Sequence, residues 1–244
     1  MFRLDAPVRF ADMVDHRHDG SGLVQRRSRA VAVTADKATA NPYSQLIVKR
    51  VLDLLICAAA LIFFAPLMLI IAGAIRMTGP VFFKQERIGQ GGRLFKVYKF
   101  RTMAVDAEQR LADLLANDRA AQIEWEAMRK LTKDPRITAV GRFLRLSSLD
   151  ELPQLINVVI GDMSVIGPRP IVASEAVMYD RYIADYYRVK PGLTGLWQVS
   201  GRNGTTYRRR VALDVYYSRH ASLALDIKIL FKTIPAVLRA EGAH

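Results

Sequence analysis

The sequence predicts an α+β protein, mostly α, with a membrane-inserted helix, amphipathic interfacial helices and a small β-hairpin. Three observations predict this class. Residues 54–75 form a run of 22 uncharged residues, long enough as a helix to cross about 30 Å of hydrocarbon. Two short apolar and aromatic runs enclose a glycine-rich segment, which is typical of a hairpin. Most other apolar residues recur at helical spacing among charged ones.

The chain of 244 residues has room for one compact core with appendages, and its 51% hydrophobic share exceeds what a soluble domain usually needs. We predict three parts. Residues 1–43 lack helical or strand periodicity and are predicted to be a disordered basic tail. Residues 44–80 form the membrane-inserted segment, and 81–244 form the folded domain with its interfacial helices.

Basic residues lie on both sides of the apolar run, Lys49 and Arg50 before it and Arg76 and Lys84 after it. Positive flanks mark the cytoplasmic side of a membrane, so both ends are predicted to lie on one face. Pro66 would supply the bend that such a re-entrant segment needs, because it removes a helical hydrogen bond. A simple spanning helix remains the alternative.

The net charge of +13 suggests an anionic partner. Nucleic acid is one candidate, but no nucleic-acid-binding motif is present, and the apolar run favours the anionic cytoplasmic leaflet of a membrane. The single cysteine, Cys57, excludes an intramolecular disulfide and fits a reducing compartment.

The remaining elements follow from periodicity and turn signals. Strands are predicted over 81–85 and 94–100, one or two amphipathic helices over 107–131, and a helix from Ser148 to about Gly161. A tyrosine-rich helical stretch over 179–187 suits an interface. The segment 191–203 is predicted to be a loop. Helices over 207–219 and 222–238 are predicted to lie in the headgroup plane, with ordinary core-facing helices as the alternative.

The most informative stretch is 145–170, because it contains an adjacent pair of acids. Ser148-Leu149-Asp150-Glu151 matches a capping box that opens a helix, which would put both acids at a positive helix end. One explanation is purely structural, since such acids complement the helix dipole by about 0.3 to 1 kcal/mol. The other is chemical, because the same position favours an ionised carboxylate that attacks a phosphoryl group.

Arginine and lysine near glycine or proline are the candidate phosphate ligands. Pro168 and Pro170 fix the backbone on both sides of Arg169, which suits a phosphate or nucleotide, although an ordinary proline turn is the alternative. Lys99 and Arg101 are separated by one residue in the predicted second strand, so their side chains share one face of it. They reach either a phosphate or solvent. Arg202 is either a phosphate contact in a loop or part of a solvated turn.

Several linked motifs together resemble the bacterial sugar transferases, which are monotopic polyprenyl-phosphate phosphoglycosyl transferases. The resemblance extends from residue 43 to the C-terminus. It is carried, in order, by KRVLD, VFFKQERIGQGG, KVYKFRTM, the whole of 134–170, and PGLTGLWQVSGRN. The family's re-entrant helix is typically broken at a Ser-Pro pair, whereas this chain has Ala65-Pro66, so its bend would rest on proline and neighbouring groups.

The resemblance implies an enzyme with a two-step exchange. Asp150 would attack the sugar-linked phosphate of a UDP-sugar, release UMP and form a phosphosugar-aspartate, which undecaprenyl phosphate would then resolve. Glu151 would help hold Mg²⁺, a hard cation suited to carboxylates and diphosphates. The resemblance assigns substrate binding to Lys99, Arg145, Arg169, Arg202 and Asp226. Arg101 is added to these because it shares a strand face with Lys99.

By the same resemblance, the chain would begin exopolysaccharide synthesis at the cytoplasmic face of the bacterial inner membrane, among its lipids. Galactose 1-phosphate is favoured as the transferred group, with glucose 1-phosphate next. No nucleic-acid partner is expected, and a homo-oligomer remains open. The competing hypothesis is a non-catalytic membrane-surface scaffold for polysaccharide assembly.

Overall fold

The computed structural model describes residues 42–128, 131–201 and 205–238. The described chain begins with α1 (Pro42–Arg76), a helix of 35 residues and about 52 Å at 1.5 Å per residue. Most of the tail predicted over 1–43 therefore lies outside the described residues.

Within the described residues, α1 is the one helix long and apolar enough to cross a membrane, judged by length and composition. Its most apolar stretch has a mean hydropathy of 2.9, and 11% of that stretch is buried against the rest of the protein. The backbone remains helical through Pro66. The predicted bend is therefore not accompanied by a break in the helix, and the re-entrant path stays a prediction.

Near its start, α1 is tied to a short strand, β3 (Ser164–Ile166), by a buried carboxylate. Asp53 accepts hydrogen bonds from Ser164 Oγ at 2.7 Å and from the backbone nitrogen of Val165 at 3.1 Å. These bonds satisfy a charge that burial would otherwise destabilise.

One turn earlier, Lys49 Nζ lies 2.6 Å from Asp226 Oδ2 and donates to the carbonyl of Ile166 at 3.1 Å. The Tyr217 hydroxyl donates to the other oxygen of Asp226 at 2.7 Å. We call this set the foot of α1. Its members are Lys49, Asp53, Tyr217, Asp226 and the residues of β3 that they contact.

The other end of α1 contacts the same folded domain. Ile71 and Ile75 are buried in a cluster with Phe100 and Leu144. Arg101 donates to the carbonyl of Ile75 at 3.3 Å. Both ends of α1 therefore pack against one body, whereas the middle of the helix is largely exposed.

The predicted hairpin is confirmed. Strands β1 (Phe82–Ile88) and β2 (Leu94–Phe100) pair antiparallel, with Phe82 opposite Phe100 and Ile88 opposite Leu94. A single 3₁₀ turn, Gln90–Gly92, joins them and uses a positive φ at Gly91, as a glycine-rich loop permits.

The predicted amphipathic region over 107–131 contains two helices in its described part, α2 (Ala107–Asn117) and α3 (Arg119–Met128). Asp118 separates them and its side chain accepts from the backbone nitrogens of Ala120 and Ala121, which caps α3. A further helix, α4 (Ala139–Ser147), follows.

Helix α5 (Gln154–Ile160) ends at Gly161, as predicted, with that glycine in the left-handed conformation at φ 102°. After it, β3 pairs in parallel with β4 (Gly192–Thr194). Sequence analysis predicted a loop at β4 and missed this pair. A Cβ on Gly192 would lie 2.1 Å from the nitrogen of Gly167, so the close approach of these segments requires glycine.

Helix α6 (Ala173–Ala176) precedes the tyrosine-rich stretch, which is covered by a 3₁₀ segment (Val177–Tyr182) and α7 (Ile183–Tyr187). The prediction of an exposed tyrosine interface is wrong for Tyr179 and Tyr186. Both side chains are buried, and they form a cluster with Ile88, Ile171, Val211 and Val215.

The last two helices are α8 (Tyr207–His220) and α9 (Leu223–Leu238), close to the predicted bounds. For α8 the alternative of an ordinary core-facing helix fits better, because Val211, Val215 and Tyr217 are buried in the core. Helix α9 instead exposes apolar side chains, including Ile227, Phe231 and Ile234.

Candidate active site

The acid pair lies on a short connection between α4 and α5. Ser148 ends α4 in the left-handed conformation, at φ 57° and ψ 16°, and a single 3₁₀ turn, Leu149–Glu151, follows. The predicted capping box is therefore wrong. Its serine closes the preceding helix and makes no side-chain cap bond, and α5 begins three residues beyond Glu151, after Pro153.

Lys99 of β2 brings a positive charge to both acids. Its Nζ donates to Glu151 Oε1 at 2.6 Å and lies 4.0 Å from Asp150 Oδ2. The Asp150 side chain is 14% exposed. One lysine therefore holds Glu151 tightly and leaves Asp150 without a short ionic contact to it.

The two neighbouring carboxyls are shifted in opposite directions. Burial raises the pKa of Asp150 to about 6, with Glu151 adding to the rise and Lys99 and Arg145 opposing it. Burial also acts to raise the pKa of Glu151, but Lys99 and Arg169 outweigh it and lower that pKa. At neutral pH both groups are mainly ionised, and Asp150 is the more basic of the two.

The framed arginine predicted from the sequence lies beside this pair. Arg169 Nη1 is 3.9 Å from Glu151 Oε1, and its side chain is 42% exposed. The guanidinium therefore retains hydrogen-bonding capacity toward solvent or a ligand. An arginine fork held in this way suits a phosphate.

Arg145 approaches the acids from α4. Its Nε donates to Thr102 Oγ1 at 2.9 Å, which holds the guanidinium in a partly buried position. Burial lowers the pKa of Arg145 and the nearby Asp150 opposes this shift, so the two charges interact. Lys99, Arg145 and Arg169 thus bring three positive charges to the acid pair, and their roles in substrate binding stay predictions.

A small cleft, partly open to solvent, lies beside Glu151. Sequence analysis missed several residues of its wall, because no local signal distinguishes them. Arg87 of β1 donates to the carbonyl of Pro170 at 3.2 Å and lies 3.5 Å from Glu175. Among the described residues, the cleft is lined by Arg87, Val97, Lys99, Glu151, Gln154, Arg169, Pro170, Gly192, Leu193 and Gln198.

Three assigned residues are not seen at the acid pair. Arg101 donates to Thr78 Oγ1 at 2.6 Å, next to the end of α1. Asp226 belongs to the foot of α1, paired with Lys49. Arg202 lies outside the described residues. The role of each in substrate binding stays a prediction.

A magnesium ion would depend on few protein ligands. The described part of the chain contains no group of three or more His, Cys, Asp or Glu side chains that could hold a metal. Mg²⁺ is commonly bound by one or two carboxylates together with substrate phosphates and water. Glu151 and Asp150 fit that pattern in donor chemistry, with the substrate supplying the remaining ligands.

The geometry combines a partly desolvated carboxylate, Asp150, with three nearby cations and an adjacent cleft. Such a site can bind a polyanion and offer it a nucleophile. A model of the family described as bacterial sugar transferase matches residues 44–240.

Among curated relatives, the exopolysaccharide production protein ExoY of Sinorhizobium fredii is 47% identical over 198 residues, covering 80% of this chain and 88% of that protein. The undecaprenyl-phosphate galactose phosphotransferase of Salmonella typhimurium is 49% identical over 202 residues, which cover 82% of this chain and 42% of that protein. A UDP-glucose:undecaprenyl-phosphate glucose-1-phosphate transferase of Klebsiella pneumoniae is 40% identical over 199 residues, which cover 78% of this chain and 40% of that protein. The chain spans less than half the length of the last two. It belongs to the bacterial sugar transferase family and is an enzyme.

Proposed function

We propose that this phosphoglycosyl transferase moves a hexose 1-phosphate from a UDP-sugar to undecaprenyl phosphate, releasing UMP, as the first step of exopolysaccharide synthesis. The observation that carries the proposal is the acid pair, with Glu151 held 2.6 Å from Lys99 and Asp150 beside it. The names of the relatives supply the substrates, a UDP-sugar and an undecaprenyl phosphate carrier.

In the first step, one oxygen of the Asp150 carboxylate attacks the sugar-bearing phosphorus. The bond from that phosphorus to the bridging oxygen breaks, and its electron pair leaves with UMP. Asp150 then carries the sugar phosphate as an acyl phosphate. In the second step, an oxygen of undecaprenyl phosphate attacks the same phosphorus, and the carboxylate is regenerated.

The surrounding cations stabilise the charge on the diphosphate while the nucleophile approaches. Arg169 is proposed to hold a phosphate with its exposed fork, and Lys99 to keep Glu151 ionised and in place. Arg145, close to Asp150, is proposed to offset the repulsion between the carboxylate and the phosphate that it attacks.

Glu151 is proposed to hold Mg²⁺, with Asp150 nearby. When bound, the ion would neutralise charge on the diphosphate and help align it. Lys99 contacts Oε1 of Glu151, so the ion and the lysine would share this carboxylate.

The donor is proposed to carry galactose, with glucose as the alternative. The Salmonella typhimurium relative, named for galactose, is 49% identical, whereas the Klebsiella pneumoniae relative, named for glucose, is 40% identical.

We place the enzyme at the cytoplasmic face of the bacterial inner membrane, with α1 re-entrant. Three facts support this. Both ends of α1 pack against the same domain, the middle of α1 is exposed at residues such as Ile62 and Phe63, and α4 and α9 expose apolar side chains such as Phe143 and Phe231. A lipid-borne acceptor confined to that surface would meet the site at high effective concentration.

Topology can be tested by labelling single cysteines in a Cys57→Ala background. Leu46 and Met77, exposed at the two ends of α1, are suitable positions for cysteine. An impermeant maleimide should reach both from the same membrane face in oriented vesicles. Labelling from opposite faces would establish a spanning helix.

The reaction is tested by UMP release from purified protein with undecaprenyl phosphate, Mg²⁺ and a panel of UDP-sugars. We expect release with UDP-galactose and a loss of at least about 10³-fold in Asp150→Asn. Asp162→Asn is the matched control, since Asp162 follows the C-terminal end of α5, whereas Asp150 precedes this helix. No turnover with any donor by folded protein would favour the scaffold hypothesis, and near-normal turnover in Asp150→Asn would contradict the assigned nucleophile.

A further inference from the structure

The backbone that carries Arg169 is joined to β1 through a tyrosine hydroxyl. Ile88 and Ile171 form an isolated antiparallel bridge, and Ile88 N donates directly to Ile171 O at 2.8 Å. An antiparallel pair of this kind normally exchanges a second bond, from Ile171 N to Ile88 O. Here that second bond is replaced by the Tyr186 hydroxyl.

The hydroxyl takes part on both sides of the bridge. Ile171 N donates to the Tyr186 oxygen at 3.3 Å, and the hydroxyl donates to Ile88 O at 2.8 Å. The carbonyl of Arg169 itself lies 3.4 Å from the same hydroxyl. One side-chain atom therefore satisfies a buried donor and a buried acceptor and also touches the backbone of the arginine.

The ring of Tyr186 is fixed as firmly as its hydroxyl. The residue is 1% exposed and packs edge-on against Tyr179, with ring centroids 5.2 Å apart. Tyr187 also packs against it, with ring centroids 6.0 Å apart. The hydroxyl position is therefore set by the tyrosine cluster, and α7 holds the segment 169–171 at a fixed distance from β1.

We propose that Tyr186 is a positioning residue for the transfer reaction, which acts by holding Arg169 in register with Lys99 and Glu151. Its hydroxyl inserts into the Ile88–Ile171 bridge and sets how far the proline-framed arginine stands from the hairpin. This inference rests on the proposed function, in which Arg169 binds a phosphate of the donor.

Removal of the hydroxyl leaves two outcomes for the bridge. Either Ile171 N and Ile88 O stay unpaired, or they close into a direct bond and shift the segment that carries Arg169. Displacement of a charged group by about 1 Å can reduce catalysis by up to about 10²-fold. Each outcome should impair the site through Arg169.

The test is a double-mutant cycle between Tyr186→Phe and Arg169→Ala. UDP affinity, measured by calorimetry, gives a readout that does not depend on turnover, and kcat/KM for UMP release gives the second. We expect Tyr186→Phe to weaken UDP binding about tenfold and to lower kcat/KM by about 10- to 100-fold. In the Arg169→Ala background the same change should add less than about twofold.

Tyr179→Phe is the matched control. Its ring is 2% exposed and belongs to the same cluster, but its hydroxyl donates to Asp214 at 2.7 Å and not to the bridge. This variant should keep UDP affinity within about twofold of the wild type. An equal loss in Tyr179→Phe, or an undiminished loss from Tyr186→Phe in the Arg169→Ala background, would overturn the positioning role.

Two further outcomes distinguish a failure of the proposed function from a failure of the role of Tyr186. If Arg169→Ala alone leaves UDP affinity unchanged, the phosphate role in the proposed function fails. If Tyr186→Phe does not fold, hydrogen exchange on the wild type still decides. The amide of Ile171 should be protected from exchange in the absence of nucleotide. Rapid exchange that slows only when UDP is added would show that the bridge does not hold Arg169 in place before the nucleotide binds, and would contradict the proposal.

Discussion

The cleft and the foot of α1 use the same kinds of side chain in different ways. At the foot, Asp53 accepts two hydrogen bonds and Lys49 meets Asp226 at 2.6 Å. In the cleft, Arg169 is 42% exposed and lies 3.9 Å from Glu151. Beside the cleft, Asp150 is 4.0 Å from Lys99.

The difference indicates which charges serve structure and which serve ligands. Charges at the foot of α1 have short contacts to opposite charges or hydrogen-bonding groups. These contacts already stabilise the packing of α1 against the domain. At the candidate site Lys99 and Glu151 are paired at 2.6 Å, but Arg169 and Asp150 keep capacity for further partners, as an anion-binding site requires. The predictions below test this contrast, from the largest expected effect on turnover to the smallest.

Lys99→Met should damage the cleft most. It removes the cation that contacts Glu151 and faces Asp150, so we expect kcat/KM for UMP release to fall by about 10²- to 10³-fold with little change in melting temperature. Lys96→Met is the matched control, because Lys96 lies on the same strand and is exposed. Equal activity in the two variants would remove Lys99 from the reaction.

The pH dependence of UMP release should report Asp150. Burial raises its pKa to about 6, and the nucleophile must be ionised, so the rate should fall as pH decreases through 6. At pH 5 it should be about tenfold below its plateau, since only about a tenth of the carboxyl is then ionised. Because Lys99 lowers this pKa, residual activity in Lys99→Met should show a midpoint at higher pH. A profile that stays flat down to pH 5, with UDP binding unchanged, would contradict the assignment.

Asp53→Ala should affect stability more than turnover. It orphans Ser164 Oγ and Val165 N inside the protein, and we expect unfolding in detergent to become easier by about 2–4 kcal/mol. The folded fraction should keep kcat within about threefold. Asp113→Ala, at an exposed position on α2, is the control and should cost about 0.5 kcal/mol or less. A large loss of kcat without a loss of stability would mean that the foot takes part in the chemistry.

Sequence analysis succeeded where local chemistry determines structure. The hairpin and the helix end at Gly161 depend on glycine turns and strand composition within a few residues. The long apolar helix follows from composition alone.

Tertiary contacts explain the failures. Ser148 closes α4 in place of opening α5, because its left-handed conformation ends one helix before the next can begin. The pair β3–β4 consists of three-residue strands that are set by close glycine contacts far apart in the chain. Tyr186 is buried by α8 and β1 and is no interface residue.

The candidate site shows the same division. The acid pair and Arg169 could be found because they lie within one stretch of sequence with recognisable turn chemistry. Arg87, Gln154 and Gln198 reach the cleft from β1, α5 and the segment after β4, and no local pattern distinguishes them from other polar residues.

The central claim is that Asp150 becomes covalently attached to the sugar phosphate, and trapping tests it most directly. Enzyme incubated with UDP-galactose and Mg²⁺, without undecaprenyl phosphate, should release about one UMP per active site. Peptide mass spectrometry should then find a hexose phosphate on Asp150 that disappears when undecaprenyl phosphate is added. An enzyme that turns over with acceptor present, yet yields no adduct or one on another residue, would contradict the account.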